Sequence, residues 1–313
     1  MERGDASPHS KRGKMTRRFS GMWPALVTPF GADGKPALDV VEKLVDLFAK
    51  QGLDGLYVTG STGQWPLLTV EERQGIVERC VKASAGRIPI MAHIGAVATD
   101  DAVTLAKHAA KVGADAVSTV APIYYPHSAD VVFEHYRRIG AASELPLFVY
   151  HIELAQKLSV GAKEYTERIL SLPNIAGMKI TSGDLYLFGL IHSFAGDRLQ
   201  LFSGADEVMC QAVLSGSIGA IGTFYNVFGP ACRRAREAMV AGQVEKARTF
   251  MLAFQQVIAK VIASGSIWSF FRAAMRVKYS LDIGMPRAPL GTLDKPWDDA
   301  EIAKLIATVD EVL

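Results

Sequence analysis

The sequence predicts a (β/α)8 TIM barrel, an α/β fold, followed by a C-terminal helical extension. Eight short apolar runs of strand character recur between residues 22 and 224. Segments of helical period separate them, the signature of repeated βα units and a parallel sheet. A doubly wound sheet would usually show fewer strands and a Gly-rich dinucleotide fingerprint after the first, so eight units in this length favour the barrel.

The strand runs fall at 22–29, 55–60, 89–95, 116–122, 146–152, 175–180, 199–204 and 219–224. Helical periodicity occupies 38–50, 70–85 and 99–112 between them, and 229–240 after the last. Beyond residue 242 only helical patterns remain, at 245–263, 266–281 and 298–313. The chain is therefore divided into a basic tail at 1–20, a barrel domain at 21–241 and a helical region at 242–313. The tail is rich in Arg, Lys, Ser and Gly without apolar periodicity, which reads as disorder. Met15 is an alternative start, and Glu2 and Asp5 argue against a transit peptide.

With 313 residues, 49% of them hydrophobic, the chain can bury a sizeable core. Its 34 basic and 32 acidic residues leave a net charge of +2, which provides no broad basic surface for nucleic acid. Small-molecule partners are expected instead. No apolar run reaches the roughly 18 residues of a membrane span, and no signal-peptide segment is present, so the expected location is the cytoplasm. Cys80, Cys210 and Cys232 are odd in number and far apart, matching neither a disulfide framework nor zinc-ligand spacing. They are expected to be reduced and buried. No histidine spacing suggests a metal site.

In barrels of this class the chemistry sits at the C-terminal ends of the strands. Lys179 is the lone lysine inside an apolar strand run, Ile175-Ala-Gly-Met-Lys-Ile180. A lysine of ordinary pKa, about 10.4, is almost fully protonated near neutral pH, whereas burial disfavours the ammonium and releases a nucleophilic amine. The alternatives are a lysine that snorkels at a strand end or joins an ion network. Polar groups at other strand ends converge on the same rim and favour the catalytic reading. Gly60-Ser61-Thr62-Gly63 is either an ordinary turn or a cradle of N–H and hydroxyl donors for a small carboxylate. Tyr150 is either a buried tyrosine with a satisfied hydroxyl or a proton shuttle. Asp206 and Glu207 either begin a helix or bind a ligand. Tyr124, Tyr125 and Thr223 complete the rim.

Six segments together resemble one family: Gly60 to Gly63, Ala121-Pro-Ile-Tyr-Tyr-Pro126, Val149-Tyr-His-Ile152, Met178 to Tyr186, Ser203-Gly-Ala-Asp-Glu207 and Ile221-Gly-Thr-Phe-Tyr-Asn226. Their order and spacing are similar to those of the dihydrodipicolinate synthase and N-acetylneuraminate lyase superfamily of pyruvate-dependent class I aldolases. The resemblance covers nearly everything from Gly21 onward. It implies a (β/α)8 barrel, a homotetramer and no cofactor or metal. Lys179 would form a Schiff base with pyruvate or a 2-oxo acid, Tyr150 would move protons, and Ser61 and Thr62 would hold the carboxylate. One of Tyr124 and Tyr125 resembles a tyrosine that crosses a subunit interface in the synthase branch.

The lyase branch is the better match. Lys179 to Tyr186 carries its Lys-x-Thr-Ser-Gly-Asp-Leu-Tyr motif, including Thr181, and Gly204 to Glu207 carries its Gly-x-Asp-Glu. The resemblance implies that Asp206, Glu207 and Thr223 bind the hydroxylated tail of a sugar acid. The synthase branch has an arginine soon after its tyrosine, absent from 151–157 here. Gln64 replaces a usual glutamate, and Glu153 replaces a usual proline and adds charge at the pocket rim. The expected reaction is cleavage of N-acetylneuraminate or a similar sugar acid to pyruvate and N-acetylmannosamine or another aldehyde. The alternatives are another 2-oxo-3-deoxy sugar-acid aldolase or dehydratase, a dihydrodipicolinate synthase, and a catalytically silent sugar-acid-binding barrel.

Overall fold

The computed structural model describes residues 18–152 and 160–313. Eight parallel strands are present: β1 (Gly21–Pro24), β2 (Leu56–Val58), β3 (Ile90–His93), β4 (Ala116–Val120), β5 (Leu147–Ile152), β6 (Ile175–Thr181), β7 (Gln200–Ser203) and β8 (Gly219–Gly222). They pair in the order β1-β8-β7-β6-β5-β4-β3-β2. A parallel bridge between Ala25 and Tyr57 brings the two ends of the sheet together, with the Leu26 N–H donating to the Tyr57 carbonyl at 2.9 Å. The barrel predicted from the strand count is the one observed.

Alternation along each strand sends successive side chains inward and outward. Trp23, Tyr57, Met91, Ala116, Phe148, Phe202 and Ile221 form an interior cluster, so the barrel is packed and not a pore. Phe19 joins it from below, 5.6 Å from the Trp23 ring and 5.7 Å from Phe148. Although assigned to the tail from sequence, Phe19 is buried, and its N–H donates to Gln200 at 2.6 Å. Residues 1–17 of the 1–20 tail assignment lie outside the described residues.

The outer helices are α1 (Leu38–Lys50), α2 (Val70–Ser84), α3 (Thr99–Val112), α4 (Ala129–Gly140), α5 (Ala162–Leu170), α6 (Leu185–Ala195), the short α7 (Gln211–Leu214) and α8 (Tyr225–Val240). Helix α2 starts with a capping box, Thr69 and Glu72 satisfying one another's backbone N–H. Helix α8 begins at Tyr225, four residues before the predicted start. Pro230 therefore lies inside the helix and not at its first turn, where proline is usually favoured. Helices α9 (Val244–Ala263), α10 (Ile267–Tyr279) and α11 (Asp299–Asp310) form the extension. It packs through Phe250, Phe254, Phe270 and Phe271 against Phe224 and Phe228 at the start of α8. Among the described residues no helix is long and apolar enough to cross a membrane. The three cysteines are free and buried.

Candidate active site

Tyr150 and Lys179 are register partners on β5 and β6. Their outward neighbours Val149, Met178 and Ile180 pack under the helices, so alternation turns the phenol and the amine into the barrel. Lys179 is 4% exposed, and no other lysine among the described residues is buried. Its Nζ lies 4.2 Å from the Tyr150 ring centroid and 4.6 Å from that of Tyr57. Among the described residues no ion pair joins Lys179 to a carboxylate, although its charge acts on the buried Asp206.

The two tyrosines differ in what their hydroxyls meet. Tyr57 donates to Ser118 at 3.0 Å, and burial holds its phenol well above the usual range. It is a neutral wall. The Tyr150 oxygen instead accepts from Thr181 Oγ1 at 3.4 Å. Gly204 is required beside this pair, because a Cβ there would lie 2.9 Å from Lys179 Cε and collide with Thr181 Oγ1.

The turn after β2 places Thr62 in the interior and Ser61 at the surface. Thr62 and Thr223 share a hydroxyl hydrogen bond at 2.7 Å, joining the turn to the end of β8. The Gly63 carbonyl accepts from Thr28 at 2.7 Å. Below the turn lies His93, which sequence reasoning did not assign. Its ring is fully buried, 5.6 Å from Trp65 and 6.1 Å from Tyr150. Burial keeps its pKa well below the usual value, so the ring is neutral, with Nδ1 donating to the Thr59 carbonyl at 3.1 Å. Arg73 fixes the same segment, donating to the His93 and Gly95 carbonyls at 2.8 Å each.

Asp206 and Glu207 separate in the structure. Asp206 is buried, and one carboxylate oxygen accepts the Phe224 N–H at 2.8 Å, anchoring the start of α8 rather than its own short 3-10 turn. Its other oxygen faces Gly222, where any Cβ would collide with it. Burial pushes the Asp206 carboxyl up to about 7, against the opposing effects of the Phe224 N–H and the Lys179 charge. Glu207 is exposed, and its carbonyl accepts from Gln255 at 2.6 Å. Tyr124 and Tyr125 are 87% and 65% exposed and meet one another edge to face at 5.0 Å. Glu153 lies outside the described residues.

The model of the dihydrodipicolinate synthetase family matches residues 18–308. The chain belongs to that family. Over 296 residues it is 34% identical to the N-acetylneuraminate lyase of Rhizobium meliloti (strain 1021), covering 95% of this chain and 96% of that protein. The N-acetylneuraminate lyase of Citrobacter koseri is 33% identical, covering 90% of this chain and 95% of its own. Among solved structures, the wild-type sialic acid aldolase of Ruminococcus gnavus superposes with a TM-score of 0.87 at 26% identity, over 94% of this chain and 98% of that one. The N-acetylneuraminate lyase of Mycoplasma synoviae gives 0.82 at 29% identity, over 94% and 97%. This member of the dihydrodipicolinate synthetase family is thus similar over 90–95% of its length to proteins named N-acetylneuraminate lyase or sialic acid aldolase.

Proposed function

We propose that the protein is a class I aldolase, a carbon-carbon lyase that cleaves N-acetylneuraminate or a closely similar sugar acid to pyruvate and an aldehyde. One observation carries this reading above the others. The sole buried lysine among the described residues stands against a tyrosine at the C-terminal mouth of the barrel, beside a turn rich in hydroxyl and N–H donors.

In this reading the carboxylate of the open-chain sugar acid rests on Ser61 and Thr62, which brings C2 to Lys179. The amine attacks the ketone and water leaves, forming a protonated imine. As the C3–C4 bond breaks, its electron pair moves into the imine to give an enamine. Tyr150 accepts the proton of the C4 hydroxyl, and the aldehyde departs. Protonation at C3 and hydrolysis then release pyruvate and regenerate the amine. Thr181 positions the phenol. The exposed Glu207 contacts the polyol tail, while Asp206 holds the β7 and β8 loops together through the Phe224 N–H.

Whole-length likeness to N-acetylneuraminate lyases supports this substrate over the second carboxylate of a synthase. A homotetramer in the cytoplasm is the accompanying proposal; the exposed pair Tyr124 and Tyr125 suits a subunit contact. Pyruvate release measured across sialic acids and other 2-oxo-3-deoxy sugar acids tests the assignment. N-acetylneuraminate should give the highest kcat/KM, and strong preference for a short 2-oxo-3-deoxy acid would overturn it.

A further inference from the structure

Gln64 follows the carboxylate cradle directly. It stands in the left-handed region at φ 62°, a conformation that non-glycine residues adopt only when surrounding contacts impose it. Its side chain is buried, and Oε1 accepts the backbone N–H of Arg287 at 3.0 Å. On the other side, the Gln64 N–H donates to the Ser61 carbonyl at 3.0 Å, inside the cradle. A continuous hydrogen-bonded path therefore runs from Ser61 to the C-terminal extension.

Arg287 is where the extension grips the rim. Its two terminal nitrogens form a fork on Glu72, at 2.8 and 2.7 Å. They also donate to the carbonyls of Leu67, at 2.6 Å, and Gly34, at 2.8 Å, and the guanidinium lies 5.2 Å from the Phe30 ring. Glu72 is the capping-box acid of α2, and the Phe30 N–H donates to the Ile283 carbonyl at 3.0 Å. The loops after β1 and β2 are thus held by one residue from outside the barrel. The extension is already attached through its aromatic contacts with α8, so this second attachment bears on the rim itself.

We propose that Gln64 and Arg287 are positioning residues for the carboxylate end of the substrate, through which the C-terminal extension fixes the Ser61 and Thr62 donors. The proposal rests on the reading of that turn as the carboxylate cradle. Neither residue contacts Lys179 or the reacting atoms, so their loss should weaken capture of the 2-oxo acid and spare the chemical step.

The test is a pyruvate titration of the full chain, followed by calorimetry and by borohydride labelling of Lys179, for wild type, Gln64→Ala, Gln64→Glu and Arg287→Lys. Gln64→Ala should raise the half-saturating pyruvate concentration by about 3- to 10-fold, the scale of one lost hydrogen bond. Gln64→Glu keeps an acceptor for the Arg287 N–H and should bind like wild type. Arg287→Lys keeps that N–H but loses the fork, and should also bind more weakly, with the labelling at saturation unchanged. Wild-type affinity in both Gln64→Ala and Arg287→Lys, with only Tm lowered, would reduce the clamp to a stability element and overturn the proposal. So would a Gln64→Glu variant as weak as Gln64→Ala. Wild type that binds pyruvate without being labelled would remove the imine reading, yet the calorimetric titration would still decide the clamp. Absence of pyruvate binding by wild type would overturn cradle and clamp together.

Discussion

The Lys179 amine sits over the face of the Tyr150 ring, 4.2 Å from its centroid, because strand register makes the two residues neighbours. Tyr150→Phe keeps the ring and its packing while deleting the hydroxyl that meets Thr181. That variant should lose about 10²-fold or more in kcat, the scale of general acid-base catalysis, and still form the pyruvate imine. Near-normal kcat would move the proton transfer to another group.

The barrel is legible in the chain because each βα unit writes its own local pattern, and Lys179 stands out as a charge inside one of them. Tyr57 and His93 are not legible in the same way. A tyrosine in Leu56-Tyr57-Val58 or a histidine ending Ile90–His93 has the same local pattern as a core residue, and their facing of Lys179 and Tyr150 arises only on barrel closure. Asp206 illustrates the limit most clearly. Its local setting is that of an acid opening a helix, but the N–H it holds belongs to Phe224, 18 residues later on another strand-helix unit.

Asp206 has a pH signature. Its carboxyl ionises at about 7 in the folded protein because of burial, compared with about 3.9 in an unfolded chain. Between those values the unfolded chain binds fewer protons than the folded one, so this residue lowers stability as pH rises from about 4 to 7. Asp206→Asn has no such proton to lose. The Tm difference, variant minus wild type, should increase across that interval; a constant difference would place the ionisation elsewhere.

Glu207 is exposed and should bear on specificity alone. Glu207→Gln should cost about 1 to 3 kcal/mol in kcat/KM for N-acetylneuraminate, the range for hydrogen bonds to a charged group, with Tm and pyruvate labelling unchanged. Equal effects on long and short 2-oxo acids would contradict a role at the polyol tail.

Gly204 packs its bare backbone beside Lys179 and Thr181. Gly204→Ala would force its Cβ against Lys179 Cε and Thr181 Oγ1, costing about 1 to 3 kcal/mol of stability by overpacking and slowing imine formation. A variant with wild-type Tm and labelling rate would show that the two strands have room to part.

The thiols should be silent. Burial pushes Cys210 up to about 12 and raises Cys80 and Cys232 as well, and the thiolate is the reactive form. A thiol reagent at pH 8 should modify none of them in the native protein and all three after unfolding. Rapid labelling of the native state would contradict their burial.

Lys179 remains the residue on which the account depends. Incubation with pyruvate and borohydride, followed by peptide mass analysis, should add a pyruvate-derived mass to the peptide containing Lys179 and to no other, and Lys179→Arg should abolish it. Label on a different lysine, or no label from wild type under saturating pyruvate, would contradict the Schiff-base mechanism.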